Sequence, residues 1–279
     1  MVARFGSTEL NCTLNYLLLS DANWLGRLGL RLGGCPYRRV FEPEVLGAMS
    51  TLSGFFPASE SHARRFAELL LADIPDIDVL GSWLQQEQYV LDRLPSTCLR
   101  VDLEDLPPFH HSRPWSEALK GKSVLVVHPF KSTIERQYLN HRAQIFPGNP
   151  VLPEFSLQVL QPVQSIGADA ARYIGTQRVH FASWFDALDH MTELMSRLEF
   201  DIAIFGCGAY GLPLAARAKR MGKIAVHLGG VTQCLFGIKG RRWETEYDYP
   251  QRFYNEHWVR PSADETPTEY KRVESGCYW

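Results

Sequence analysis

Three glycines late in the chain, Gly206, Gly208 and Gly211, fall at G-x-G-x-x-G spacing. They follow a short apolar run, residues 202–205, with the length and composition of a buried parallel strand. Residues 212–221 then read as a helix: small and apolar residues fill one side, Lys219 and Arg220 close the last turn, and Gly222 is placed to cap it. A second apolar run, 223–228, completes a strand–turn–helix–strand unit. Glycines let the backbone approach a ligand closely, and the free N–H groups of a helix start attract an anion, so the unit has the chemistry of a diphosphate cradle. It lacks the acid that ends the second strand of a dinucleotide-binding unit; here that strand ends His227-Leu228-Gly229-Gly230. The same spacing also serves as tight-turn chemistry with no ligand, and the sequence leaves both readings open. Tyr210, inside the turn, offers an aromatic surface for a base or a sugar.

Three other stretches carry candidate donors and acids. In Arg4-Phe5-Gly6-Ser7-Thr8-Glu9 a strand ends and a helix begins, the edge at which open α/β sheets bind ligands. Helix capping explains the same residues, with Ser7 as the cap and Glu9 favouring the positive helix end. His128-Pro129-Phe130-Lys131-Ser132-Thr133 repeats the arrangement, a second candidate anion site, with His128 either a base or a satisfied structural residue. Residues 237–243 pack Lys239, Arg241, Arg242 and Trp243 into a glycine-flanked loop. The cations suit phosphates and the indole suits stacking, while the alternative is a solvated basic loop. Of three further apparent motifs, two do not hold. Gly121-Lys122-Ser123 lacks the first glycine of a phosphate loop and precedes its strand. Asp76-Ile77-Asp78 precedes an apolar run, which puts it at the wrong sheet edge. Asp102-Leu103-Glu104 ends a strand and stays as a metal candidate. No Ser–His–Asp or Cys–His arrangement can be read.

The elements that must position these residues follow from periodicity. Short strands are expected at 2–5, 78–83, 98–103, 123–127, 155–160, 202–205 and 223–228. Helices are expected at 7–20, 42–52, 60–72, 132–145, 183–198 and 212–221, with a loop over 21–37. This alternation predicts an α/β, Rossmann-like, mostly parallel sheet with helices on both faces. The 279 residues form a single domain, with sub-lobes 1–106 and 115–239 as candidate subdivisions, since 107–114 breaks the pattern. Residues 240–279 are too aromatic for a disordered tail and are expected to wrap back onto the domain. A net charge of −2 argues against a broad nucleic-acid footprint. No apolar run reaches the ~18 residues of a membrane span, and the N-terminus does not read as a signal peptide. Six scattered cysteines without a C-x-x-C suit a reduced, cytoplasmic compartment.

The stretch ARFGSTEL resembles the R-x-G-D-G-E signature of bacterial glycosyltransferases with the GT-D fold. The strand ending HLGG, the stretch TQCLFGIKGRRW, and the C-terminal NEHWVRPSADETP and ESGCYW are similar to uncharacterised bacterial proteins of this type found near surface-polysaccharide genes. The resemblance implies a GT-D-like fold. It also implies transfer of a sugar from a nucleotide-diphosphate donor, a UDP-sugar first, to a glycan or glycolipid acceptor. The family's D-x-E pair is linked with a divalent metal and the donor diphosphate; its Glu falls on Glu9, but its Asp falls on Ser7. Hard cations such as Mg²⁺ or Mn²⁺ favour anionic oxygens, so Ser7 and Glu9 alone make a poor site. Three outcomes follow: Lys239, Arg241 and Lys131 neutralise the diphosphate without metal, another acid helps, or catalysis is lost. Under the resemblance Glu9 acts as general base on the acceptor hydroxyl or binds donor hydroxyls. Donor binding would draw on Arg4, Gly6, Ser7, His128, Lys131, Thr133, Gly206, Gly208, Tyr210, Gly211, Lys239, Arg241 and Trp243. The competing reading is a non-catalytic nucleotide- or nucleotide-sugar-binding protein; a dinucleotide-dependent oxidoreductase ranks behind it.

Overall fold

The computed structural model describes residues 1–20, 41–166, 171–247 and 250–279. The loop expected over 21–37 lies outside them. Strands β1 (Val2–Ala3), β2 (Val79–Ser82), β3 (Leu99–Asp102), β4 (Ser123–Val127) and β5 (Ser156–Leu160) belong to one sheet. Residues Ile202–Phe205 and Ile224–His227 add two more strands to it. Between them in the chain lie the short strands β6 (Gln164–Ile166), β7 (Ala171–Ile174) and β8 (Gln177–Val179), so the two late strands are β9 and β10. The seven-stranded sheet has the order β3-β2-β1-β10-β9-β4-β5, and every pairing in it is parallel. The α/β, mostly parallel architecture expected from the alternation of elements is therefore present. β6–β8 form a separate antiparallel three-stranded sheet that the sequence reading did not find.

The central strands read as continuous apolar runs because both sheet faces are covered. Leu125 and Val127 of β4 and Ala203 and Phe205 of β9 enter one core; Val124, Val126, Ile202 and Ile204 enter the other. The first core is closed by α1 (Ser7–Ser20), α2 (Pro43–Thr51), α3 (Glu60–Asp73), and the helices Trp184–Ser196 and Gly211–Arg220. On the opposite face lie α4 (Lys131–Ile145) and the C-terminal segment, whose Trp243 and Trp258 are buried there. The tail does wrap back onto the domain. In chain order the helices Trp184–Ser196 and Gly211–Arg220 are α5 and α6, followed by α7 (Thr232–Leu235) and α8 (Arg241–Thr245). Ser183 caps α5 as expected, in a capping box with Asp186.

The strands before residue 107 form one side of the sheet, β3-β2-β1, and those after residue 114 form the other, β10-β9-β4-β5, joined through the β1–β10 pairing. One sequence expectation needs adjustment. Helix α1 begins at Ser7 itself, and Leu10 N–H donates to Gly6 O at 2.9 Å; Gly6, not Ser7, holds the position before the first turn. The acids at 76 and 78 are structural, as their place before β2 implied. Asp78 pairs with the N-terminal ammonium and with Lys219 at 2.7 Å, and Asp76 pairs with Arg220 at 2.7 Å.

Candidate functional site

The loops after β1, β2, β4, β9 and β10 meet above the C-terminal ends of these strands. They enclose a cavity of about 410 Å³, within the range of small-molecule sites. In a parallel sheet this edge gathers the turns that lead into helices, and with them the free helix N–H groups.

Glu9 stands in the first turn of α1 and lines the cavity. Its Oε1 accepts a hydrogen bond from the Ser53 hydroxyl at 2.8 Å. The carboxylate folds back over Gly6 so closely that a Cβ there would lie 1.9 Å from Oε2. Arg4 is anchored by two donations to Phe5 O, at 3.1 and 2.8 Å, and its guanidinium lies 4.9 Å from the centroid of the Trp83 ring. It also passes 3.2 Å from where a Cβ on Gly229 would be, which helps explain a glycine there beyond its positive φ. Trp83 Nε1 donates to the same carbonyl at 2.9 Å.

The glycine turn is only partly a ligand cradle. A Cβ on Gly206 would lie 2.7 Å from the His128 ring and from Thr232, and one on Gly211 would lie 2.5 Å from His227. Two of the three glycines therefore make room for buried imidazoles. Gly208, at φ +60°, has open space around it and lines the cavity. Both imidazoles line the cavity as well. Burial pushes the pKa of His128 down to about 3; burial and the nearby Arg4 cation do the same for His227. His128 Nδ1 accepts from Phe130 N–H at 3.1 Å, which fixes the neutral ring as a structural member of the turn.

The second anion site expected at the start of α4 is already filled from within. The buried Glu265 carboxylate accepts from the Ser132 and Thr133 N–H groups and from the Thr133 and Ser262 hydroxyls. Thr133 thus serves an internal carboxylate, and Lys131 sits outside the cavity near Glu135 at 3.9 Å. Of the basic loop, Lys239 lies 5.1 Å from the Tyr254 ring centroid, and Arg241 is exposed with NH1 3.4 Å from Ser275 O; neither lines the cavity. Arg242 does, hydrogen-bonded to the Tyr278 hydroxyl at 2.7 Å and paired with Glu274.

Neither aromatic residue expected to stack is available. Tyr210 is 3% exposed, stacks on Trp184 with centroids 4.6 Å apart, and shares a hydrogen bond with Ser165. Trp243 is packed into the second core. The cavity thus unites Arg4, Gly6, Ser7, Glu9, His128, Gly206, Gly208 and Tyr210, and leaves out Lys131, Thr133, Gly211, Lys239, Arg241 and Trp243.

Arg242, a cation of the basic loop at 237–243, also lines it; so do Ser53, Trp83, Gln164, His227, Gln233 and Tyr278, which sequence reasoning missed as site residues. Three of these expose a chemical need. Gln164 Nε2, His227 Nδ1 and Gln233 Oε1 are buried and have no hydrogen-bond partner among the described residues. Buried polar atoms are rarely left unpaired, so these three are open to polar partners within the cavity. Its carboxylates are Glu9, Glu246 and Glu274, and the last two pair with Arg242. With Glu9 the one cavity carboxylate not paired with Arg242, this donor set does not fit a hard divalent cation, and no metal-holding group occurs among the described residues. Compared with protein-family models, with curated proteins and with solved structures, the chain matches none.

Proposed function

We propose that the chain binds a nucleotide-diphosphate sugar in this cavity and transfers the sugar to a hydroxyl of a glycan or glycolipid acceptor. One observation carries the reading: Glu9 and the open Gly208 turn face one enclosed space at the C-terminal edge of a parallel sheet. A diphosphate needs close backbone approach and positive charge, which Gly208, Arg4 and Arg242 supply. The acceptor needs a base, and Glu9 is the cavity carboxylate that forms no pair with Arg242. In this reading Glu9 takes the proton of the acceptor hydroxyl as its oxygen bonds to the anomeric carbon. The bond from that carbon to the phosphate oxygen breaks, and the nucleoside diphosphate leaves against Arg4 and Arg242. Cations aimed at developing charge are sufficient for such leaving-group stabilisation, so no step is routed through a metal. Ser7, standing where the resembled family has its Asp, supports a second reading: the same pocket holding a nucleotide-sugar without transferring it.

Glu9→Gln separates the two. Thermal shift with UDP-sugars, GDP-sugars and NAD identifies the ligand, and chromatography of released nucleoside diphosphate follows turnover. The variant is expected to keep its melting temperature and ligand shift while turnover falls by about 10² to 10⁴-fold, as loss of a general base does. Undiminished turnover removes Glu9 from the mechanism. Stabilisation with no turnover in either protein favours the binding reading, and stabilisation by NAD alone removes both.

A further inference from the structure

The cavity has two unlike sides, and the difference identifies where the acceptor sits. The strands whose loops form it run in the order β2-β1-β10-β9-β4. Gly208 follows β9, Glu9 follows β1, and Trp83 follows β2. Neighbouring strands lie about 4.8 Å apart, so the loop bearing Trp83 starts about 14 Å from the one bearing Gly208, with the loop of Glu9 between them. On the Trp83 side the lining includes Trp83 itself and Leu103, which follows β3, the neighbour of β2. Trp83 is 44% exposed and Leu52 49%, the two large cavity-lining apolar side chains among the described residues that remain open to solvent. Trp83 is nevertheless held still. Its Nε1 is fixed on Phe5 O and the Arg4 guanidinium lies over its ring. An exposed indole locked in orientation at a cavity mouth is a prepared stacking surface, because the entropy of ordering it is already spent.

We propose that Trp83 is the platform on which a sugar ring of the acceptor stacks. This rests on the transferase reading, in which a base stands between the leaving diphosphate and the incoming hydroxyl. With the diphosphate between Gly208 and Arg4 and the base at Glu9, the acceptor enters from the Trp83 side, against the ring face that Arg4 does not cover. The C–H face of a pyranose matches an indole, and the open mouth leaves room for the rest of a glycan chain. The surface that Tyr210 and Trp243 cannot provide is thus supplied by Trp83.

The test uses the full chain labelled with 5-fluorotryptophan and titrated with methyl β-glucoside, methyl β-galactoside and methyl β-N-acetylglucosaminide, and separately with UDP. Trp83→Phe assigns the resonance of Trp83. The expected result is that at least one glycoside moves that resonance while UDP leaves it in place. Trp83→Ala should then weaken glycoside binding at least tenfold, about 1.4 kcal/mol, with the UDP thermal shift unchanged. Trp83→Phe, which keeps an aromatic ring but loses the indole N–H, should retain most of the affinity. Movement of the resonance by UDP but by none of the glycosides makes Trp83 a nucleobase platform and overturns the proposal. So does glycoside binding that leaves the resonance unmoved, or no glycoside binding at all. The fluorine measurement on the unsubstituted protein decides the matter even if Trp83→Ala does not fold. If glycosides meet Trp83 but no nucleotide or nucleotide-sugar stabilises the protein, the platform stands and the transferase reading falls.

Discussion

Gly6 and Glu9 are best understood as a pair. The carboxylate occupies the volume that any side chain at position 6 would need, 1.9 Å from a Cβ and 2.7 Å from it at Cδ. That neighbour is the end of a flexible side chain near solvent, so Gly6→Ala can be accommodated by swinging Glu9 away from Ser53. The backbone at Gly6 has no positive φ to oppose the substitution. The expected result is a fold intact to within about 1 kcal/mol together with a loss of turnover comparable to that of Glu9→Gln. The double variant should be no worse than Glu9→Gln alone, because both changes remove one interaction. Additive losses would show that Gly6 acts through something other than Glu9. Gly206 has no such freedom: its neighbours are a buried imidazole and a buried threonine, packed in the interior. The two glycines read alike in the sequence, yet one makes room for chemistry and the other for packing.

At the scale of elements, α4 shows what a sequence reveals and what it conceals. Its start was legible as an anion-accepting turn, since donors cluster there after a strand. Its occupant was not, because Glu265 lies 133 positions from Ser132, and no local pattern connects them. The central strands were legible because cover on both faces demands unbroken apolar runs, as in Ile202–Phe205. β6–β8 were not, because strands of three or four residues such as Gln-Arg-Val carry too little alternation to signal a face. Trp83 escaped notice for a related reason: a tryptophan closing a short strand reads as core until its exposure is known. Glu265→Ala tests the internal cap. It leaves the Ser132 and Thr133 N–H groups and the Thr133 hydroxyl without their carboxylate in a buried place, and should cost about 1 to 3 kcal/mol. The melting temperature should fall by several degrees, at about 2 to 4 °C per kcal/mol for a chain of this size. Sulfate should recover more of that loss in the variant than it adds to the unsubstituted protein, since it can take the vacated position. An unchanged melting temperature would mean that water replaces the carboxylate at no cost.

Across the whole molecule, the buried titratable groups predict how stability responds to acid. His128 and His227 have folded pKa values of about 3 against an ordinary 6.5, because burial disfavours the imidazolium. As the pH falls below 6.5 the unfolded chain takes up a proton at each and the folded chain does not, so these residues withdraw stability between about 6.5 and about 3. Asp73 opposes them. Burial raises its pKa from 3.8 to about 6 despite the Arg220 cation beside it, so the folded chain binds its proton first and gains stability as the pH falls from 6 towards 3.8. From pH 6 to pH 4 the unfolded state therefore binds two extra protons at the histidines and the folded state one at Asp73. The net of one proton gives a loss of about 1.4 kcal/mol per pH unit, roughly 3 kcal/mol in all. Urea denaturation at pH 6, 5 and 4 should show it, and Asp73→Asn should steepen the slope about twofold by removing the opposing proton. Because both histidines line the cavity and stay neutral in the folded protein down to about pH 3, nucleotide-sugar binding should hold over the same interval for as long as the fold does. A stability that stays level or rises on acidification to pH 4 would mean that the imidazoles are solvated in the folded protein, and with them the floor of the site.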